Sequence, residues 1–259
     1  MNSDINTHAK NDSLNFNSVF NQSWSLFTKS LGMGILAIVI YLIASGMVGF
    51  MIESITGFNS ITQEFMEDIQ GMNDPNTLIY KMQDFYMNNL SLIVISRLLT
   101  EFILLLTFPL AAGFIMVCRE MDQHGYANIK TLFIGFKPEY WGRLMVLAIV
   151  YFILSKIAIM LFILPGVYLW VAACIACPFV LFKGMSGMEA LKASIHTVNQ
   201  NWFSVFKILV VASLIGISGY LLCGVGRVAT YPFVLVTIYM LYKNMVGFDD
   251  DEITEIGKN

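Results

Sequence analysis

The chain has 259 residues, of which 57% are hydrophobic and only 13% charged, with mean hydropathy +0.68 and a formal net charge of −3. Soluble domains carry about a quarter charged residues, so a soluble globule is a poor fit. The near-neutral balance, with no basic stripe, argues against nucleic-acid binding.

In chain order, residues 1–13 (MNSDINTHAKNDS) are polar and read as a disordered tail, with no cleaved targeting segment expected. Phe16, Val19, Phe20, Trp24 and Phe27 then form an apolar stripe at helical spacing. A bilayer core is crossed by about 20 mostly apolar residues in a helix. Runs of that kind predict spans at about 31–52, 92–118, 144–164, 167–182, 202–223 and 225–246, with Pro165-Gly166 dividing the third from the fourth. The expectation is an all-α polytopic protein with a membrane domain over 14–247, an outer loop at 53–90 and an acidic tail at 248–259. Lys and Arg gather in the 2–3 and 4–5 loops (Arg119, Lys130, Lys137, Arg143, Lys183, Lys192), whereas the 1–2 loop has Lys81 against six carboxylates. That bias places both termini in the cytoplasm.

A phrase recurs within the chain, CPFVLF at 177–182 and YPFVLV at 231–236. Trp24, Trp141 and Trp202 precede the odd-numbered spans, where an indole suits the headgroup level. Pro109, Pro178 and Pro232 fall in the even-numbered ones. Ser186-Gly-Met-Glu189 fits a capping box. Beyond it, Met188, Leu191, Ile195 and Val198 make one stripe of a helix that would lie in the interface plane. The predicted unit is an interfacial helix, a Trp, a span out and a proline-bent span back, repeated three times. Each proline frees the carbonyl four residues earlier: Leu105, Cys174 and Val228. Either these carbonyls face a ligand, or packing and hydroxyls repair them.

Charges within spans are functional candidates. Arg97 and Glu101 share a helix face near the outer surface, and Lys156 falls in the outer leaflet. Together they suggest a site for an anionic head group; the plainer alternative is an ion pair beside a snorkelling lysine. Cys174-Ile-Ala-Cys177 has CxxC spacing but sits among small residues of a span, which favours packing over redox or metal chemistry. His8, His124 and His196 lie in separate segments, and no nucleophile elbow, phosphate loop or HExxH is present, so neither a metal, a cofactor nor a catalytic residue is expected. Glu64, Glu67 and Asp68 with Met66, Met72, Met82 and Met87 mix hard and soft donors and read as an amphipathic lid, turned at Asn73-Asp-Pro-Asn76.

Several residues carry a family resemblance: Pro109 and Gly113 in PLAAGFIMVCRE, Leu132-Phe-Ile-Gly-Phe136, Pro165-Gly-Val-Tyr168, Pro178, Glu189-Ala-Leu-x-x-Ser194, Trp202 with Phe206, and Pro232. Through these the stretch from Phe108 to Gly247 resembles a broad group of bacterial six-helix membrane proteins. That group includes the membrane domain found in front of some glycerophosphodiester phosphodiesterases. The resemblance implies a protein of the bacterial cytoplasmic membrane and carries no catalytic residue. The expected role is a non-enzymatic membrane scaffold or partner-binding module whose partners are membrane lipid and another membrane protein. The alternative is a small transporter or lipid-handling protein using the Arg97, Glu101 and Lys156 group.

Overall fold

The computed structural model describes residues 14–161, 163–221 and 226–248, all in helices and the turns that join them. The expected disordered tail with His8, the residues from 249 onward and Cys223 lie outside the described residues. A smaller unit, Ile40–Thr107, is distinct from a larger one formed by the chain on either side of it.

The smaller unit takes the second half of α1 (Phe16–Thr56), then α2 (Phe58–Ile69), α3 (Pro75–Asn88) and the first half of α4 (Leu90–His124). Gly57 makes the joint between α1 and α2 in one residue, at φ 60°, a left-handed conformation that glycine adopts without strain. Glu53 secures the joint: its carboxylate accepts the Asn59 amide at 2.7 Å and the Ser60 amide at 3.2 Å, satisfying two donors at the start of α2. Asp74 caps α3 by accepting the Thr77 amide at 3.0 Å, with Pro75 at the first helical position. Across the turn, Lys81 donates to Asp68 at 2.6 Å, and Phe65 stacks on Phe85 with centroids 4.2 Å apart. The acidic segment between the first two spans is therefore a helical hairpin.

The larger unit contains the start of α1, the end of α4, a 3-10 segment (Ile129–Phe136), α5 (Pro138–Leu161), α6 (Ile163–Ala172), α7 (Ala176–Lys183), α8 (Gly187–Asn199), α9 (Trp202–Ser218), α10 (Arg227–Thr230) and α11 (Pro232–Met245). The 3-10 segment lies backbone against backbone on α4. A Cβ on Gly113 would stand 1.9 Å from the Leu132 carbonyl oxygen, and one on Gly135 would stand 2.3 Å from that of Pro109. Phe233 is fully buried and meets Phe20, Trp24 and Phe27 of α1 at 5.4–6.0 Å. In the earlier copy of that phrase, Phe179 meets Tyr242 edge-on at 5.3 Å. Arg119 lies over the rings of Phe182 and Phe248 at 5.1 and 4.5 Å.

The prolines act in three ways. Pro109 lies inside a continuous α4. Pro178 follows a break at residues 173–175, where the buried Ser194 hydroxyl donates to the Ala172 carbonyl at 2.8 Å. A hydroxyl thus satisfies a carbonyl at that break. Pro165 and Pro232 open α6 and α11 rather than bending them, because the first-turn N–H they lack would have had no helical acceptor. The chain accordingly leaves α5 at Leu161, just before the predicted Pro165-Gly166 division, and Gly166 lies against Ile159 of α5.

α8 differs most from expectation. Its capping box forms as predicted, with Ser186 and Glu189 reciprocally bonded. Its buried face, however, is Gly187, Ala190, Leu191, Ser194 and Val198, while Met188 is exposed. Gly187 sits against Arg143 and Leu147 of α5, and Tyr168 of α6 shares hydrogen bonds with Asn199. α8 therefore runs back along α5–α7 and spends its apolar stripe on protein, because small residues at 187, 190 and 194 allow close approach. It meets α9 at 103°.

Four described helical stretches are long and apolar enough to cross a membrane: Phe16–Thr56, Leu90–His124, Pro138–Leu161 and Leu164–Lys183. A fifth is added if Gly187–Asn199 and Trp202–Ser218 count as one broken span. The molecule is an all-helical protein with the long apolar helices of a membrane protein.

Candidate functional site

The smaller unit holds a cleft of about 670 Å³. Its walls come from four helices, each through a stripe at helical spacing. α1 supplies Tyr41, Ser45, Gly49, Ile52 and Glu53, and α4 supplies Ile93, Ser96, Arg97, Thr100 and Ile103. The hairpin closes it with Thr62, Phe65, Met66 and Ile69 from α2 and Met82, Phe85 and Tyr86 from α3. Apart from Thr62 those hairpin positions are apolar or aromatic, whereas Glu64, Glu67, Asp68 and Asp84 lie off the lining. From Tyr41 to Glu53 the α1 wall runs about 18 Å at the helical rise.

Polar side chains make up about half of the lining residues and are unequally engaged. Ser45, Thr62 and Thr100 donate their hydroxyls to carbonyls of their own helices, at Leu42, Phe58 and Ser96. The Ser96 hydroxyl is different: the residue is 6% exposed, and its oxygen has no hydrogen-bond partner in the described structure. A buried, unsatisfied hydroxyl costs free energy, so an acceptor at this spot would be favoured. Arg97 lines the same cleft and has no ion-pair partner among the described residues. Glu53, the carboxylate that also lines it, is committed to α2: one oxygen takes Asn59, the other takes the amide and hydroxyl of Ser60.

That commitment shifts titration. The Asn59 amide above all, with the Ser60 amide and hydroxyl, holds Glu53 below the ordinary carboxylate value. Asp74 is lowered in the same direction, by the Thr77 hydroxyl first and the Thr77 amide second. A carboxyl whose folded pKa is depressed contributes stability above its unfolded pKa and loses it as pH falls through the folded value. Acidification should therefore loosen both hairpin anchors. Amide exchange at Asn59, Ser60 and Thr77 should accelerate below the ordinary carboxylate range, beyond its intrinsic pH dependence. In Glu53→Gln the response at Asn59 and Ser60 should vanish while Thr77 still responds.

Of the three charges singled out from sequence, only Arg97 lines the cleft. Glu101 lies one turn further along α4 and is not among the lining residues. Lys156 belongs to the larger unit, where its ammonium lies over the Phe152 ring at 5.0 Å. Sequence reasoning missed Ser96 and the stacked Phe65–Phe85 floor; the spacing of Phe58, Thr62, Phe65, Met66 and Ile69 was the available signal.

The remaining candidates are dispersed. Trp24 packs edge-on against Phe233, Trp141 stacks on Phe136, and Trp202 stacks between Tyr168 and Phe206. Cys118 and Cys177 are buried and Cys174 part-buried, all free thiols. Among the described residues, no three His, Cys, Asp or Glu side chains come close enough to share an ion. The larger unit has a second, more polar recess of about 500 Å³, where Asp122 accepts from Lys243 at 2.6 Å and Tyr239 at 2.8 Å.

Comparison with known proteins finds no matching family model, curated protein or solved structure.

Proposed function

We propose that this is an integral membrane protein of six spans, arranged as three helical hairpins, which binds a membrane amphiphile in the cleft of its smaller unit. Both ends of the chain lie in the cytoplasm and the α2–α3 hairpin outside; the distribution of Lys and Arg supports this orientation. The resemblance to the six-helix bacterial group supports a bacterial cytoplasmic membrane. The role is binding and handling of lipid rather than catalysis.

The cleft carries the reading. It is long and lined by apolar and polar side chains in about equal number, and ligand pockets likewise combine apolar walls with polar groups that orient the ligand. Its apolar walls would hold a hydrocarbon chain, and Arg97 with Ser96 would hold a head group. The close-packed core of the larger unit supports a second role beside it, as a rigid membrane scaffold for another membrane protein.

Gly49 provides the test. It lines the cleft, and a Cβ there would meet nothing within 4 Å, so Gly49→Phe fills the cleft without a backbone clash. Gly46 on the same helix is equally unobstructed and lies outside the lining, so Gly46→Phe is the control. Native mass spectrometry after gentle extraction should find bound amphiphile on the wild type and on Gly46→Phe, and only background on Gly49→Phe. Equal retention by all three overturns the reading.

A further inference from the structure

We propose that the cleft selects a single-chain amphiphile with an anionic head, a carboxylate or a phosphate, held by Arg97 and Ser96. This rests on the amphiphile reading above and adds the chemical class. Three observations carry it.

The first is the charge. Arg97 presents a guanidinium with five N–H donors in a planar fork that matches the oxygens of a carboxylate or phosphate. The one carboxylate lining the cleft, Glu53, is bonded to Asn59 and Ser60 at the start of α2 and makes no ion pair with Arg97. The second is the hydroxyl. Of the four serines and threonines lining the cleft, three donate within their own helices, and Ser96, the neighbour of Arg97, alone keeps a buried donor without an acceptor. An anionic oxygen in the cleft would pair with the Arg97 guanidinium, and Ser96 would join it by turning its buried hydroxyl toward the cleft. The third is size. A cleft of about 670 Å³ lies within the range of about 300–1,000 Å³ that small-molecule ligand sites occupy, room for one acyl chain and its head.

Three probes of similar chain length separate the possibilities: palmitate, a palmitoyl lysophosphatidate and uncharged monopalmitoylglycerol. Each is titrated in alkaline buffer against the full chain in phosphatidylcholine nanodiscs. The wild type should bind at least one anionic probe about tenfold or more tighter than the uncharged one, the scale of a charge-assisted hydrogen bond. Which anionic probe prevails tells carboxylate from phosphate. Arg97→Gln should erase the preference by weakening anionic binding far more than uncharged binding. Arg97→Lys should restore part of it, having the charge without the fork. Ser96→Ala should reduce the preference without abolishing it.

Equal binding of charged and uncharged probes by the wild type overturns the anionic assignment and leaves the amphiphile reading standing. Binding of none of the three overturns both. If Arg97→Gln fails to fold, the same question is put to the wild type by salt: the anionic preference should weaken as ionic strength rises while uncharged binding does not, and a salt-independent preference contradicts a role for Arg97.

Discussion

Gly113→Ala and Gly135→Ala should each destabilise the larger unit by about 3 kcal/mol. A Cβ at Gly113 would lie 1.9 Å from the Leu132 carbonyl oxygen, and one at Gly135 would lie 2.3 Å from that of Pro109. In both cases the obstacle is backbone, so no flexible side chain can swing aside. The 3-10 segment must lift off α4, uncovering Leu132, which is fully buried. Overpacking of this kind reaches about 3 kcal/mol, and a total stability of about 5–15 kcal/mol leaves small room for that. Thermal unfolding followed by size-exclusion chromatography should show a fall of roughly 6–12 °C or outright loss of the monodisperse peak. Because the two glycines hold the same contact, the double substitution should cost less than the sum of the singles. Gly216→Ala is the internal control: its nearest obstacle, at 3.0 Å, is a methyl of Val234 that can give way. Wild-type melting by Gly113→Ala would mean that the 3-10 segment does not seat on α4 as described.

The same contact shows how far the sequence could be read. Pro109 with Gly113, and Leu132-Phe-Ile-Gly-Phe136, were two of the pieces behind the family resemblance, and nothing in their spacing says that they touch. They touch because each lends a glycine to the other's backbone, a relation between distant residues that no periodicity records. Local signals fared differently. The Ser186–Glu189 capping box, the turn before Pro75 and the helix break near Pro165 depend on neighbours in sequence, and each was legible. The α8 stripe was legible as amphipathic, but not what would cover it: Gly187, Ala190 and Ser194 fit closely enough against α5–α7 to decide the matter. The first helix was misjudged at its start, where an interfacial helix was expected ahead of the span; Phe16–Thr56 is continuous because no residue between them breaks it. Of the charge group, Arg97 and Glu101 lie one turn apart on one helix, α4. Ser96 was invisible because its importance lies in what its neighbours on other helices fail to offer.

In the proposed topology the α2–α3 hairpin lies outside the membrane and the start of α1 inside. Asn76 is exposed in the first turn of α3, and Asn17 is exposed at the start of α1. Each can be made the sole cysteine of a chain whose four native cysteines are alanine, then treated in intact cells with a thiol reagent that does not cross membranes. Asn76→Cys should label fully in intact cells, because residues between two spans are outside if the chain begins inside. Asn17→Cys should label only after the cells are permeabilised. Labelling of Asn17→Cys in intact cells, with Asn76→Cys protected, would invert the protein and place the cleft on the opposite face of the membrane. Free labelling of both in a membrane-free fraction would remove the membrane from the account altogether.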